Sequence, residues 1–149
     1  VMSLSDRELF ARLIVCEAGG EGENRMKAVA SVVMNRVTVQ TGEYFRISEG
    51  GNIRNIILQE NQFTCAVQTI NNKPNPRNIY DIVPEQIHFD IADWAISGNK
   101  LNEVGTCLWF MNPGNSKCMQ YFPKNGSGIF HTMINKHCFF RPTSKYNST

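Results

Sequence analysis

The chain has 149 residues, enough for one domain with a sizeable core but not for two, so we expect a single domain over residues 1–149. Its 42% hydrophobic and 19% charged residues lie near globular averages, which excludes a disordered tail, a collagen-like repeat and a coiled-coil rod. The formal charge of +2, from 15 Lys and Arg against 13 Asp and Glu without a basic cluster, gives no reason to expect a nucleic-acid partner.

Two features bear on the compartment in which the chain works. No segment reaches the roughly 18 apolar residues of a membrane span, and the first residues lack the regions of a signal peptide, so we expect a soluble chain with neither. The cysteine count is odd, and a chain of this size does not need disulfides to hold its core. We therefore expect a mostly reduced state, with room for one bridge near the C-terminus, among Cys16, Cys65, Cys107, Cys118 and Cys138.

Helical patterns occupy the first two thirds of the chain. A first helix is predicted to begin at Ser5, where Ser5 and Glu8 form a capping box, and to end at Gly19 and Gly20. Its apolar stripe consists of Phe10, Leu13 and Ile14. A second helix over residues 23–37 has so broad an apolar face that we expect it to be central and mostly buried.

Later helical segments are shorter and separated by a loop. Residues 52–58 predict a short helix, and the Asn- and Pro-rich residues 71–78 predict a loop. A longer helix is predicted to start at Pro84 and to stop at Gly98. Its expected core side consists of Ile87, Ile91, Trp94 and Ala95.

The last third of the chain predicts a small antiparallel sheet. Short runs of aromatic and branched residues are separated by turn signals, and the predicted strands are residues 107–111, 119–122, 128–134 and 137–140. Helices followed by strands indicate an α+β domain. We expect a polar cleft where the two parts meet.

Glu17 is out of place in the pattern of the first helix. It follows Leu13 by four positions and Phe10 by seven, so its carboxyl group lies on the stripe that faces the core. Burial and the partial negative charge of a helix C-terminus both favour the neutral acid, which is the form that a general acid needs. The alternative is a glutamate at a frayed helix end that points into solvent.

The residues around Glu17 resemble a known family. Residues 16–23 read Cys-Glu-Ala-Gly-Gly-Glu-Gly-Glu, and the next helix closes with Asn35-Arg36. This pattern is similar to the turn and helix of the spore cortex-lytic cell wall hydrolases of the SleB/CwlJ type, and the similarity continues through Gln62-Phe63 and residues 108–113 and 137–143. The short length, the missing signal peptide and the His-Cys-Phe ending are most similar to the CwlJ branch.

The resemblance implies a lysozyme-like fold and a peptidoglycan-cleaving enzyme. The expected substrate is the glycan strand of the spore cortex, cut between N-acetylmuramic acid and N-acetylglucosamine during germination, with Glu17 as the catalytic residue and no cofactor or metal. In lytic transglycosylases of the family, one glutamate serves as acid and then as base. The implied location is the cortex/coat boundary of a bacterial spore, with an accessory spore-coat protein as a further partner to consider.

Several residues are candidates for binding the sugar chain. Gln62 and Phe63 offer an amide and a ring, which suit a sugar as well as they suit a core. Glu21 either caps the second helix or contacts substrate, whereas Glu23 is expected to be a solvated first-turn residue. Asn35 and Arg36 are expected to have structural roles. Further stacking and amide groups are Trp109, Asn112 and Tyr121.

Alternative chemistries find weaker support in the sequence. His131 and His137 are expected to pack in strands, and Cys16 is expected to pack as a small apolar group in the first helix. A zinc site built from Cys118, His131, His137 and Cys138 matches no standard spacing. The rival functions are a wall-binding or spore-coat structural protein of the same fold, and a metallohydrolase that cuts peptide cross-links.

Overall fold

Five α-helices form most of the first two thirds of the computed structural model, which describes residues 3–66, 69–76 and 78–149. They are α1 (Asp6–Ala18), α2 (Glu23–Thr38), α3 (Gly42–Ser48), α4 (Ile53–Ile57) and α5 (Gln86–Ile96). In the described part of the chain, none of these helices is long and apolar enough to cross a bilayer.

The first two helices match their predicted positions. The Ser5 side chain accepts a hydrogen bond from the Glu8 N–H at 3.1 Å, which begins α1, and the backbone turns to a positive φ of 84° at Gly20 after its end. Helix α2 is largely buried, as its broad apolar face predicts, and it packs against both α1 and α5. The buried faces of α1 and α2 pack against each other, and the short turn between them keeps the end of α1 beside the start of α2.

The sequence analysis does not predict α3, because this helix is supported by contacts with residues far away in the chain. Its N-cap Thr41 makes no side-chain cap bond. Instead, the Tyr44 N–H donates to the hydroxyl of Tyr146 at 3.0 Å, and the Tyr146 ring would lie 2.6 Å from a Cβ at Gly42, where φ is +72°. A contact between residues about one hundred positions apart therefore supports this helix.

Helix α5 begins two residues later than the predicted start. Glu85 and His88 form a reciprocal capping box, in which the Glu85 N–H donates to His88 Nδ1 at 2.9 Å. In this frame His88, Ile91 and Ala95 are buried, whereas Ile87 is 37% exposed. The expectation that Ile87 faces the core is therefore wrong. The capping box holds His88 on the buried side of α5, and Ile87 lies on the exposed side.

The main sheet has three antiparallel strands in the order β3–β5–β4. These strands are β3 (Trp109–Met111), β4 (Gly128–Ile134) and β5 (His137–Pro142). The predicted strand over residues 119–122 is wrong, since that segment contributes an isolated bridge from Tyr121 to Ile129. A second hairpin pairs β1 (Thr69–Ile70) with β2 (Lys73–Pro74), within the region where we expected a loop.

Two disulfides contradict the expectation of mostly reduced cysteines. Cys16 is bonded to Cys65 and Cys118 to Cys138, with Cα–Cα distances of 6.4 and 5.7 Å. Cys16 therefore does not pack as a free apolar thiol. Cys107 is the unpaired cysteine and is buried. The first pair spans 49 positions, so its proximity depends on how α1 packs and not on local sequence.

The cysteine pairing predicts a specific labelling pattern. Burial raises the pKa of the Cys107 thiol to about 12, so the thiolate is scarce at pH 8 and the folded protein should not react with iodoacetamide. Protein purified without reductant should take up one label after unfolding, and all five cysteines should react after unfolding and reduction. Intact-mass spectrometry counts the labels. Three or more labels on unfolded, unreduced protein would show that a disulfide is missing.

Candidate active site

Glu17 lies at the junction of the helices and the sheet. It is the penultimate residue of α1 and is half-buried. It faces a cleft of about 250 Å³ and an adjoining cavity of about 410 Å³, whose lining includes Ile70 and Asn75. The cleft is lined by Glu17, Arg25, Arg36, Gln62, Phe63, Thr64, Phe110, Met111, Asn112 and His137. The predicted polar cleft between the two parts is thus present.

A disulfide borders the Glu17 carboxyl group. A carboxylate oxygen of Glu17 and the sulfurs of Cys16 and Cys65 all lie within 4.8 Å of one another. The bridge connects the end of α1 to the short 3₁₀ helix Thr64–Ala66, which also supplies Thr64 to the cleft. It therefore holds the acid and one wall of the cleft together covalently.

The described residues offer no metal centre at this site. The Cys16, Glu17 and Cys65 group is the one described set of three potential ligands with such close atoms, and its two sulfurs are bonded to each other. The zinc alternative is also wrong, because Cys118 and Cys138 form a disulfide and are not available as thiolate ligands.

Arg36 is buried at the back of the cleft and makes several contacts that support the fold. Its Nε donates to the Leu108 carbonyl at 2.7 Å, and its Nη1 donates to Gln62 Oε1 at 3.3 Å. The guanidinium also lies 4.6 Å from the Tyr44 ring centroid and 5.3 Å from that of Phe63. The structural role predicted for Arg36 is confirmed, although the residue also lines the cleft.

Arg25 is a second buried cation in the cleft. Its residue exposure is 1%, and its guanidinium lies 5.8 Å from the Phe110 ring centroid. Nη1 donates to Nδ1 of His137. Burial lowers the pKa of Arg25, an effect opposed by the negative charges of Glu21 and Glu17. An arginine nevertheless keeps its positive charge in a protein, so Arg25 is a cation beside the acid.

The contact with Arg25 determines which ring nitrogen of His137 carries the proton. A guanidinium can only donate, so Nδ1 accepts and the ring proton of the neutral imidazole is on Nε2. The Asn135 carbonyl oxygen lies 3.1 Å from the same Nδ1 and can accept from it only when Nδ1 is protonated. Burial lowers the pKa of His137 and the charge of Arg25 lowers it further, against the opposing influence of the Asn135 carbonyl and Glu21.

Glu17 lies close enough to two buried guanidinium groups to interact with both. Its negative charge raises the pKa of Arg25 and of Arg36, which partly offsets the lowering of both values by burial. The acid and the two cations therefore form one electrostatic group at the cleft.

The structure separates the predicted substrate-binding residues into two sets. Gln62, Phe63 and Asn112 line the cleft with Glu17. Trp109 is only 5% exposed and packs between Tyr44 and Tyr146 in the core. A sugar cannot stack on a ring in that position.

Tyr121 and Glu21 also lie outside the cleft lining. Tyr121 is 47% exposed and lines a cavity that includes Thr143, just past the end of β5, whereas His137 begins β5. Six residues of strand separate these ends by roughly 20 Å. Glu21 is exposed, and its charge reaches the cleft only through its influence on Arg25 and His137.

The predicted capping role of Glu21 is wrong. The N-cap of α2 is Gly22, with a φ of 92° and no side-chain cap bond. The Glu21 N–H donates instead to the Ala18 carbonyl at 3.1 Å, which closes the turn between α1 and α2. Glu23 pairs with Lys27 at 3.3 Å on an exposed surface, as expected of a solvated first-turn residue.

Sequence reasoning missed Arg25 and misplaced His137. Arg25 looks like an ordinary charged residue in the first turn of a helix, and the strand pattern of His137 predicted packing. No local pattern could pair them, because 112 positions separate the two residues. One local signal was that Arg25 precedes the buried Met26 and so lies near the apolar face of α2.

The lowered pKa of His137 predicts how it affects stability as the pH changes. Below its ordinary value of 6.5, the unfolded chain binds a proton that the folded protein still excludes. Wild-type protein should therefore lose stability, relative to His137→Gln, as the pH falls from 7.5 through this range. Thermal melts of the two proteins at several pH values measure the difference. A wild type that gains stability over the variant on acidification would mean that His137 is held protonated.

Comparisons with known proteins agree with this architecture. The sequence profile of the cell wall hydrolases matches residues 20–140, a range that starts three residues after Glu17. The cell wall hydrolase CwlJ of Halalkalibacterium halodurans is 26% identical over 139 residues, covering 93% of this chain and 87% of the relative. CwlJ of Bacillus subtilis is 24% identical over 141 residues, covering 95% and 88%.

A solved structure has the same fold. The catalytic domain of the germination-specific lytic transglycosylase SleB from Bacillus anthracis superposes with a TM-score of 0.65 at 23% identity, covering 94% of this chain and 97% of that domain. The expected lysozyme-like α+β fold is thus confirmed. Because the family profile covers most of the sequence, the chain belongs to the cell wall hydrolase family.

Proposed function

We propose that this protein cleaves the glycan strands of spore cortex peptidoglycan between N-acetylmuramic acid and N-acetylglucosamine, as a lytic transglycosylase active in germination. The observation that carries the proposal is the position of Glu17. Its carboxyl group is the single carboxylate among the described residues that line a cleft between helices and sheet. The names of the relatives, which include cell wall hydrolases and a germination-specific lytic transglycosylase, support the substrate and the setting.

One carboxyl group is sufficient for the proposed reaction. Glu17 donates its proton to the glycosidic oxygen as the bond to the muramic anomeric carbon breaks, and N-acetylglucosamine leaves with a new hydroxyl group. The Glu17 carboxylate then removes the proton from the muramic C6 hydroxyl, whose oxygen attacks the anomeric carbon to close a 1,6-anhydro ring. Ordinary glycosidases place a second carboxylate at a set distance for a nucleophile or a water.

Residues around Glu17 are proposed to orient the sugars. Gln62 Oε1 accepts from both Arg36 and Tyr44, so its amide NH₂ is left to donate to a sugar hydroxyl. The Asn112 side chain accepts from the Gly114 N–H at 2.9 Å, which holds its amide at the rim of the cleft. Phe63 contributes an apolar wall. These contacts would fix the glycosidic oxygen relative to the acid.

The cellular setting follows from the same proposal. We infer that the protein acts at the cortex/coat boundary of a spore-forming bacterium, which the bacterial relatives support. An accessory spore-coat protein is a proposal that rests on the family resemblance alone.

Glu17→Gln tests the central assignment. The amide keeps the shape of the side chain but cannot donate the proton, so activity on purified cortex should fall by about 10² to 10⁴-fold while the fold persists. Glu23→Gln is the matched control, because Glu23 is an exposed glutamate in the same turn region and should leave activity unchanged. Mass spectrometry of the released muropeptides measures both the rate and the product.

The same spectra distinguish the rival functions. New 1,6-anhydro ends support the transglycosylase, and new reducing ends mean that water attacks instead. Unchanged glycan would favour a wall-binding or structural protein, and freed amino groups would indicate a peptidase. If Glu17→Gln retained more than about a tenth of the wild-type rate, Glu17 would not be the general acid.

A further inference from the structure

One N–H group of the buried Arg25 has no hydrogen-bond acceptor in the part of the chain that the structure describes. Its Nη1 donates to His137, but no acceptor for its Nε lies within reach among residues 3–66, 69–76 and 78–149. Arg36, on the same helix, has a carbonyl, an amide and two aromatic rings as partners. A buried N–H without an acceptor is unfavourable, so Arg25 is suited to a partner that arrives with the substrate.

The charge of the cleft indicates the sign of that partner. Under the proposed function Glu17 must be protonated when the substrate binds. In that state the described lining carries two guanidinium groups and no carboxylate. The reaction then develops positive charge at the muramic anomeric carbon, which nearby cations disfavour. An anionic group on the substrate would neutralise the cleft before this charge develops.

The shape of the guanidinium indicates the chemistry of the partner. Because Nη1 is occupied by His137, the remaining edge of Arg25 is the one formed by Nε and Nη2. Two parallel N–H groups on one edge match the two oxygens of a carboxylate. Of the two sugars at the scissile bond, only muramic acid carries a carboxyl group, on its lactyl ether. That group is either free or extended by a peptide that itself bears carboxylates.

We propose that Arg25 is a specificity-determining residue that binds a carboxylate on the muramic acid at the scissile bond, through its Nε–Nη2 edge. The inference rests on the proposed function and adds a preference to it. Muramic lactam has its carboxyl group in a neutral ring amide, so the enzyme selects against lactam at the cleavage position. His137 accepts a hydrogen bond from Nη1 and so orients the guanidinium group, including its Nε–Nη2 edge.

Defined glycan fragments test the proposal. Three soluble substrates share one sugar backbone: the first carries intact peptide stems, the second is stripped by an amidase to free lactyl carboxylates, and in the third these carboxylates are converted to neutral methylamides. The rate of new end formation, as kcat/KM, is measured for wild type, Arg25→Gln and Arg25→Lys. Lys27→Gln is the matched control, since Lys27 is a half-buried cation two residues away on the same helix that pairs with Glu23 and does not line the cleft.

The expected result is a loss of discrimination and not only of rate. Wild type should cleave the methylamide at least tenfold more slowly than the better of the two carboxylate-bearing substrates, since hydrogen bonds to charged groups are stronger than neutral ones. Arg25→Gln should lose at least tenfold on that preferred substrate and show no further loss on the methylamide. The rates of Arg25→Lys should lie between those of wild type and Arg25→Gln, because lysine keeps the positive charge but lacks the two parallel N–H groups. Lys27→Gln should behave like wild type.

Two further measurements keep the outcome decisive. If the stripped glycan is cleaved faster than both the stem-bearing glycan and the methylamide, the lactyl carboxylate is the ligand. If the stem-bearing glycan is cleaved faster than both of the others, the ligand is a peptide carboxylate. Calorimetric binding of the same fragments to Glu17→Gln protein tests recognition without turnover. Fragments that bind with discrimination but are not cut by wild type would sink the proposed function and leave this inference standing.

Three results would overturn the inference. The first is a wild type that cleaves the stem-bearing, stripped and methylamide substrates at the same rate. The second is an equal loss by Arg25→Gln on every substrate while its melting temperature is unchanged, which would show that Arg25 acts through Glu17. If Arg25→Gln fails to fold, Arg25→Lys decides alone: a folded Lys variant with the full wild-type preference is the third contrary result, since the two parallel N–H groups would then be unnecessary.

Discussion

The end of helix α2 holds the helical part of the molecule against the sheet. Asn35 Nδ2 donates to the carbonyls of Gly105 and Cys107 at 3.0 and 2.9 Å, and Arg36 Nε donates to the Leu108 carbonyl. Three carbonyls that precede β3 are therefore satisfied by side chains of a helix, in a place where water has little access. Because β3 and its turn form one wall of the cleft, the position of that wall depends on these two side chains.

The opposite wall of the cleft, which includes Thr64, is held by a disulfide. Between α4 and α5, the described residues form short 3₁₀ helices and a hairpin with two residues in each strand, which cannot bury enough apolar surface to be rigid alone. Cys65 joins it to Cys16, and Arg12 donates to the carbonyls of Ile79 and Tyr80 at 3.2 and 2.7 Å. Helix α1 thus carries both the acid and the anchors of the wall that faces it, so their relative position is well defined.

Charge is distributed in the cleft in a way that suits a single acid. Glu17 meets partial burial on one side and the cations Arg25 and Arg36 on the other. Arg36 is committed to the fold through its partners, whereas Arg25 has one edge held by His137. The two arginines lie on one helix but have different roles, because Arg36 donates to the Leu108 carbonyl just before β3 and Arg25 contacts His137, the first residue of β5.

Local sequence determined the elements whose signals are local. The cap at Ser5, the apolar face of α2 and the strand over residues 128–134 follow from periodicity and capping, and the position of a glutamate on an apolar stripe is enough to mark Glu17 as a candidate acid. Tertiary packing decided the rest: α3 depends on Tyr146, and the disulfides and the pairing of Arg25 with His137 join residues 20 to 112 positions apart. Tertiary packing also placed Trp109 in the core and Tyr121 at the far end of β5. Periodicity reports which face of an element is apolar, but it does not report which other element that face will meet.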